Sequence, residues 1–241
     1  MTITPDAIVY WQFGPFAISA TLVFTWVVMA LLAGGSWLIT CRLTGGTSVS
    51  RGQLLLEIVL DGIRGQIRGV VDVDADRYLP FIGTLFLFIV TSNVLVVVPG
   101  FQAPTGSLST TTALALCVFV AVPVFGTMSQ GLRGYLKTYL QPTWLMLPFN
   151  ILSELTRTIS LSIRLFGNMM SGTMIAAVAL AIAPLFFPVI MSVLGLLIGV
   201  IQAYIFSVLA LVYIVSATRA HEEQLGGPHN DNKGGSTRGE P

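Results

Sequence analysis

Charged side chains are scarce in this sequence. Asp, Glu, Lys and Arg make up 10% of its 241 residues, whereas a soluble domain carries about 25%. Hydrophobic residues account for 54%, and the mean hydropathy is +0.82. This composition excludes a soluble globular domain and predicts an integral membrane protein. The basic residues are dispersed, without a Lys- or Arg-rich run, and the net charge is +1, so no nucleic-acid partner is expected.

Cysteine and histidine are almost absent as well. Cys41 and Cys117 are isolated in apolar surroundings and are predicted to be small buried hydrophobes. The two histidines, His221 and His229, both belong to the polar C-terminal segment, which leaves too few ligands for a structural zinc site. The first residues contain Asp6 and have no basic stretch, so the first apolar segment is expected to be retained as a span.

Five apolar segments are long enough to cross a hydrocarbon core of about 30 Å. They comprise residues from about 16 to 39, 79 to 98, 110 to 128, 144 to 183 and 185 to 217. Polar connectors at 40–78 and 129–143 separate them. The sequence therefore predicts an all-α integral membrane protein with about five membrane helices in one domain, 16–217. Residues 218–241 are Gly-rich and polar, which predicts a disordered tail.

The connector after the first span contains an amphipathic pattern at about 50–71. Apolar residues recur there at three- and four-residue spacing, with charges between them, as in a helix with one apolar face. Such a helix would lie along the membrane surface or against a partner helix. An ordinary solvated connecting helix is the alternative.

The basic residues indicate the orientation of the chain. Five of the twelve are in the 40–78 connector, two are in the 129–143 connector and three are in the tail. The positive-inside rule then places these parts in the cytoplasm and residues 1–15 outside the cytoplasm.

The last two apolar segments are too long for upright helices. The first has about 40 residues, or ~60 Å as one helix, which is about twice the hydrocarbon thickness. Both are therefore predicted to be steeply tilted and to form an antiparallel hairpin around Pro184 and Pro188. With the turn centred near Ala183, level residues have numbers that add up to about 366. Arg164 then faces Gln202, with an error of about one helical turn.

Charged and polar side chains interrupt the first of these long segments. Glu154, Arg157, Arg164 and Asn168 recur at three- to seven-residue intervals and share one helix face. Glu154 and Arg157 are predicted to form a structural ion pair. Arg164 then has no carboxylate within its own helix, and a charge at the bilayer centre costs roughly 2.5–3.5 kcal/mol on insertion scales. An unpaired cation of this kind would attract a carboxylate from another subunit. The alternative is that amides, carbonyls and water hold Arg164 merely for packing, and packing is also an alternative for Asn168 and Gln202.

Two stretches resemble subunit a of F-type ATP synthases. They are SLSIRLFGNMMSG at 160–172, with an Arg-Leu-Phe-Gly-Asn core, and QAYIFSVLALVYI at 202–214. The resemblance extends from about residue 50 to 217. It implies a non-catalytic stator subunit without cofactors that faces a rotating ring of c subunits, with b-type peripheral stalk subunits as further partners, in the bacterial plasma (inner) membrane.

The family's ion path runs through two aqueous half-channels. The resemblance places its essential arginine at Arg164 and its last-helix glutamine at Gln202. Ser160, Asn168 and Thr173 are further candidates for the ion path; Ser160 is close to the stripe of Arg164, and packing is the alternative role for Thr173. A cation at the interface with the ring would favour the ionised form of the ring carboxylate. It would also bar direct leakage between the half-channels.

The sequence departs from the family pattern along the outer access path. Thr173 stands where many members have Glu, and Gly195 stands where the last helix often has His or Glu. In the turn after the second span, Ser107 and Ser109 replace the usual Asp and Asn. The outer path is thus short of titratable groups. A proton, as in most of the family, is the expected ion, and sodium is the alternative.

Two other classes of protein were weighed. A stand-alone secondary transporter or ion channel would show internal repeats or paired broken helices, and neither is visible in the sequence. A membrane-embedded enzyme would need a nucleophile and a base, yet the apolar segments contain no His or Asp. A purified multi-subunit assembly with ATPase activity would distinguish the stator subunit from both.

Overall fold

The computed structural model describes residues 9–13, 16–41, 51–70, 75–98, 101–140, 146–182 and 187–219. In these ranges the chain forms a hairpin of β1 (Val9–Phe13) and β2 (Phe16–Ser19), followed by the helices α1 (Ala20–Cys41), α2 (Arg51–Val70), α3 (Ala75–Val94), α4 (Leu108–Leu140), α5 (Met146–Ile182) and α6 (Phe187–Arg219). Two short 3₁₀ turns, Leu95–Val97 and Pro104–Gly106, connect α3 to α4.

Five of the helices are long and apolar enough to cross a membrane. They are α1, α3, α4, α5 and α6, which correspond in order to the five predicted spans. The predicted all-α membrane fold is confirmed. The predicted tail at 218–241 lies outside the described residues beyond Arg219, so its disorder stays a prediction.

The first span begins later than the sequence predicts. Residues 16–19 form β2, which pairs antiparallel with β1, so the helix starts at Ala20 rather than near Phe16. The apolar composition of 16–19 is compatible with either state, because a short apolar run does not distinguish a strand from a helix.

The third span agrees with its prediction. The predicted segment 110–128 corresponds to the apolar part of α4, Leu108–Ser129, and helical residues continue beyond it to Leu140, through residues predicted to form the 129–143 connector. Gly131 interrupts the helix with φ 74° and ψ 157°, a combination that essentially only glycine adopts. Helical residues resume after this kink, so the predicted connector contains a break at Gly131 followed by further helical structure.

The amphipathic helix is confirmed in α2. Its residues Ile63 and Ile67 are buried and belong to the main hydrophobic core, and α2 packs against α3 and α6. On its polar side, Arg64 forms ion pairs with Asp61 at 3.7 Å and with Asp76 at 2.9 Å. The second pair joins the C-terminal half of α2 to the first turn of α3.

The core lies between α3 and α6, with α4, α5 and α2 packed around this pair. Ile89 of α3 and Phe206 and Leu211 of α6 are almost completely buried. By contrast, α1 packs mainly against α3, and its Trp26 and Trp37 are 63% and 70% exposed. Large exposed apolar side chains on a membrane helix are expected to face lipid or a partner subunit.

The cysteine prediction is wrong. Cys41 and Cys117 are free and exposed on the surface of the chain. An apolar sequence environment does not separate a core position from a lipid-facing one, because both are apolar.

Replacing Gly131 by alanine should destabilise the protein. A Cβ at φ 74° and ψ 157° strains the backbone, and we expect the free energy of unfolding to fall by about 1–3 kcal/mol. Gly34→Ala is the control, because Gly34 is helical and its added Cβ meets open space. Thermal unfolding of both variants in detergent measures the difference, and equal stabilities would contradict the strain argument.

Candidate functional site

The site is built on the face that α5 turns toward α6. Leu161 and Leu165 are buried at 2% and 0% exposure, so they anchor α5 in the bundle. Arg164 and Asn168 share the stripe of Leu161 at three- and four-residue spacing. The polar side chains are thus carried by a helix whose rotation is fixed by its leucines.

Two contacts connect this face to α6. The Nδ2 of Asn168 donates a hydrogen bond of 2.5 Å to the Oε1 of Gln202. The guanidinium of Arg157 lies over the ring of Tyr213, 5.5 Å from its centroid. The residue numbers of both pairs add up to 370, so both define the same register of the antiparallel hairpin.

The observed register differs slightly from the predicted one. Gln202 contacts Asn168 rather than facing Arg164, and Arg164 is level with Phe206. The offset is one helical turn, or ~6 Å, which is the error expected for the register. Level residues therefore add up to 370 instead of 366, and residues 183–186, around which the turn is predicted, lie outside the described ranges.

Arg164 is exposed on the surface of the chain. Its guanidinium forms no hydrogen bond or ion pair with the residues that the structure describes. Within those ranges its own chain supplies no carboxylate partner. The charge is therefore available to a group from outside the chain.

Arg157 has a different environment from Arg164. Its cation contacts the aromatic face of Tyr213, an interaction that favours a cation electrostatically. Glu154, one turn earlier, is partly buried. The predicted ion pair between Glu154 and Arg157 stays a prediction.

A cavity of about 310 Å³ lies beside Asn168, between α5, α6 and the connection from α3 to α4. Its polar lining residues are Asn93, Gln102, Asn168, Thr173 and Ser192, and its glycines are Gly106, Gly172 and Gly195. None of the described residues that line it has an ionisable side chain. At ~30 Å³ per molecule, the cavity has room for about ten waters.

The cavity brings together residues that the sequence placed on the outer access path. Thr173 and Gly195 both line it, and an added Cβ at Gly195 would meet nothing within 4 Å. Ser107 and Ser109 exchange a hydrogen bond of 2.7 Å. Ser160 is exposed and does not line the cavity.

Sequence reasoning missed a hydrogen-bonded clamp at the cavity wall. Asn93 is 3% exposed; its Nδ2 donates to the carbonyl of Gly199 at 2.9 Å, and its Oδ1 accepts from the hydroxyl of Thr105 at 3.1 Å. One amide thus joins α3, the 3₁₀ turn at 104–106 and α6. An amide inside an apolar span is a signal for such a role, whereas its backbone partner has no sequence signal.

Comparisons with known proteins identify relatives over most of the chain. The model of the ATP synthase A chain family matches residues 22–215. The chain is 59% identical over 222 residues to ATP synthase subunit a 2 of Acaryochloris marina (strain MBIC 11017), covering 92% of this chain and 95% of that protein. It is 59% identical over 223 residues to ATP synthase subunit a 1 of Chlorobaculum parvum (strain DSM 263 / NCIMB 8327), covering 92% and 99%. It is 57% identical over 222 residues to ATP synthase subunit a of Albidiferax ferrireducens (strain ATCC BAA-621 / DSM 15236 / T118), covering 92% and 96%.

The substitution Gly199→Ala should break the clamp. An added Cβ at Gly199 would lie 2.9 Å from the Cβ, Cγ and Nδ2 of Asn93, so the amide must move and lose its bonds. Overpacking of this kind costs about 1–3 kcal/mol. Gly83→Ala is the matched control, because its Cβ meets nothing within 4 Å. Thermal unfolding in detergent compares the two, and a Gly199→Ala protein as stable as Gly83→Ala would disprove the close packing.

Proposed function

The chain belongs to the ATP synthase A chain family, and we propose that it is the ion-translocating stator subunit of a rotary F-type ATP synthase. The observation that carries this proposal is Arg164, an exposed guanidinium with no partner among the described residues. In this role the chain performs no ATP chemistry. Its task is to present one fixed positive charge to carboxylates that pass by on a rotating ring of c subunits.

A fixed cation suits this task for an electrostatic reason. An opposite charge within ~4–6 Å favours the ionised form of a carboxyl group. A ring carboxylate would therefore release its ion on reaching Arg164 and take up an ion after leaving it. Because arginine stays protonated, the charge persists throughout the cycle and blocks direct passage of a cation across the site.

The cavity of about 310 Å³ supplies an access path to that site. It reaches Asn168, which lies one turn after Arg164, or ~6 Å farther along α5. Gln102 lines the cavity together with four other polar residues, and a polar cavity of this size can hold water. We infer that this cavity is the outer half-channel, with the second half-channel on the cytoplasmic side.

The orientation follows from the distribution of basic residues. The positive-inside rule assigns the α2 region and the end of α4 to the cytoplasm. The connection from α3 to α4, which contains no Lys or Arg at 99–109, is then outside, together with the N-terminus. The cavity borders this connection. The proposed membrane is the bacterial plasma membrane, and the proposed partners are the c ring, b-type peripheral stalk subunits and the remainder of the synthase.

The lining of the cavity bears on the identity of the ion. A proton relay through side chains needs titratable groups, and the described lining has none. Protons can still move along water, as the family resemblance implies. Amide and hydroxyl oxygens also suit a hard cation such as sodium, which makes sodium the second candidate.

Removing the charge of Arg164 should abolish coupling. In a reconstituted complex, Arg164→Ala is expected to assemble but to lose ATP-driven ion pumping, and Arg164→Lys should be severely impaired because lysine can lose its proton in a low dielectric. Arg68→Ala, at an exposed arginine of α2, is the control and should pump normally. Full pumping by Arg164→Ala would refute the proposed role.

Ion identity can be tested on the same liposomes. If water carries protons through the cavity, ATP-driven acidification should proceed without sodium. If sodium is the ion, ²²Na⁺ uptake should accompany ATP hydrolysis and should persist, or increase, when a protonophore collapses the proton gradient. The sodium alternative would be excluded by two results together: acidification in sodium-free buffer, and no ²²Na⁺ uptake when ²²Na⁺ is supplied.

A further inference from the structure

Arg164 lies between the two polar contacts that join α5 to α6. Asn168 is four residues after Arg164 and hydrogen-bonds Gln202. Arg157 is seven residues before it and lies over Tyr213. The two contacts are about three helical turns apart on α5 and define one register. Arg164 is thus held from both sides along the helix axis.

Such contacts matter because apolar packing alone fixes register weakly. Along the seam the remaining side chains are mostly Leu, Ile, Val and Ala, which fit one another at more than one axial position. A slip of one turn would move Arg164 by ~5.4 Å, which is comparable to the full distance over which it can act on a carboxylate. Directional contacts are therefore needed to hold this charge at one level.

We propose that Tyr213 is a positioning residue, whose ring holds the guanidinium of Arg157 and thereby fixes the axial position of Arg164 at the interface with the ring. This inference rests on the proposed function. Tyr213 suits the role because it is partly buried and packed against the main core, so its ring is a rigid anchor. The aromatic face carries out the function, and the hydroxyl is not required for it.

A neutral ring also has an advantage over a carboxylate at this place. Arg157 lies ~10 Å along the helix from Arg164. A carboxylate fixed on α6 at that level would offer Arg164 a competing anion and would repel the carboxylates of the ring. An aromatic ring holds the cation and adds no negative charge to the seam.

Conservative and disruptive variants in the whole complex test the role. Tyr213→Phe and Arg157→Lys keep the cation and the ring, so ATP-driven pumping should stay within about twofold of the original protein. Tyr213→Leu and Arg157→Gln remove one partner, and pumping per ATP hydrolysed should fall about fivefold to tenfold. A purely structural role of the tyrosine would not produce the same loss in Arg157→Gln or its rescue by Arg157→Lys.

Disulfide formation measures the register independently of activity. In a background with Cys41→Ser and Cys117→Ser, the pair Leu161→Cys and Leu209→Cys is level in the observed register. The pair Leu161→Cys and Ile205→Cys is one turn out of it. When Tyr213 is present, we expect the level pair to crosslink more than the pair that is one turn out of register. This preference should fall severalfold in Tyr213→Leu but not in Tyr213→Phe.

The pumping and crosslinking results together support or overturn the positioning role of Tyr213. Unchanged pumping and unchanged crosslinking in both disruptive variants would overturn it, and so would equal losses in Tyr213→Phe and Tyr213→Leu. If Tyr213→Leu does not assemble, the pumping and crosslinking of Arg157→Gln are compared with those of Arg157→Lys instead. A loss in Arg157→Gln alone supports the inference, and equal results in the two variants overturn it. If Arg164→Ala pumps normally while the crosslinks shift as expected, the proposed function fails and the positioning of α5 by Tyr213 stands.

Discussion

The structure depends on one positive charge that its own described residues leave without a counter-ion. Burying an ion is costly unless it is paired, so an intramembrane Arg164 persists only if another molecule completes the pair or water reaches it. Its surroundings agree with this constraint. Asn168 and Gln202 are neutral and bind each other, and neither adds an anion that would quench the guanidinium.

Directional contacts between neutral groups give the bundle its specificity. In a membrane the apolar helices gain little from contact with one another rather than with lipid, so packing alone defines their axial register weakly. Asn93 bonds Gly199 and Thr105, and Thr112 of α4 bonds Ser162 of α5 at 3.2 Å. These bonds select one arrangement without introducing charge, which leaves the electrostatic field to Arg164.

Composition and periodicity were sufficient to predict the spans, the amphipathic α2 and the polar face of α5. They were not sufficient where the decisive partner is remote or is backbone. The carbonyl that Asn93 binds is 106 residues away, and nothing in the sequence around Gly199 marks it. The hairpin register was missed by one turn because residue spacing alone does not define how α5 and α6 are aligned. The exposure of Cys117 was missed because lipid and protein core are equally apolar.

The neutral lining of the cavity complements the positive charge of Arg164. Hydroxyls, amides and the open space at Gly195 leave room for water and add no fixed charge. In the proposed function, this path only delivers the ion, and its capture and release depend on the distance between the moving carboxylate and Arg164. The position of that guanidinium along α5 is for this reason the quantity that the rest of the fold has to keep constant.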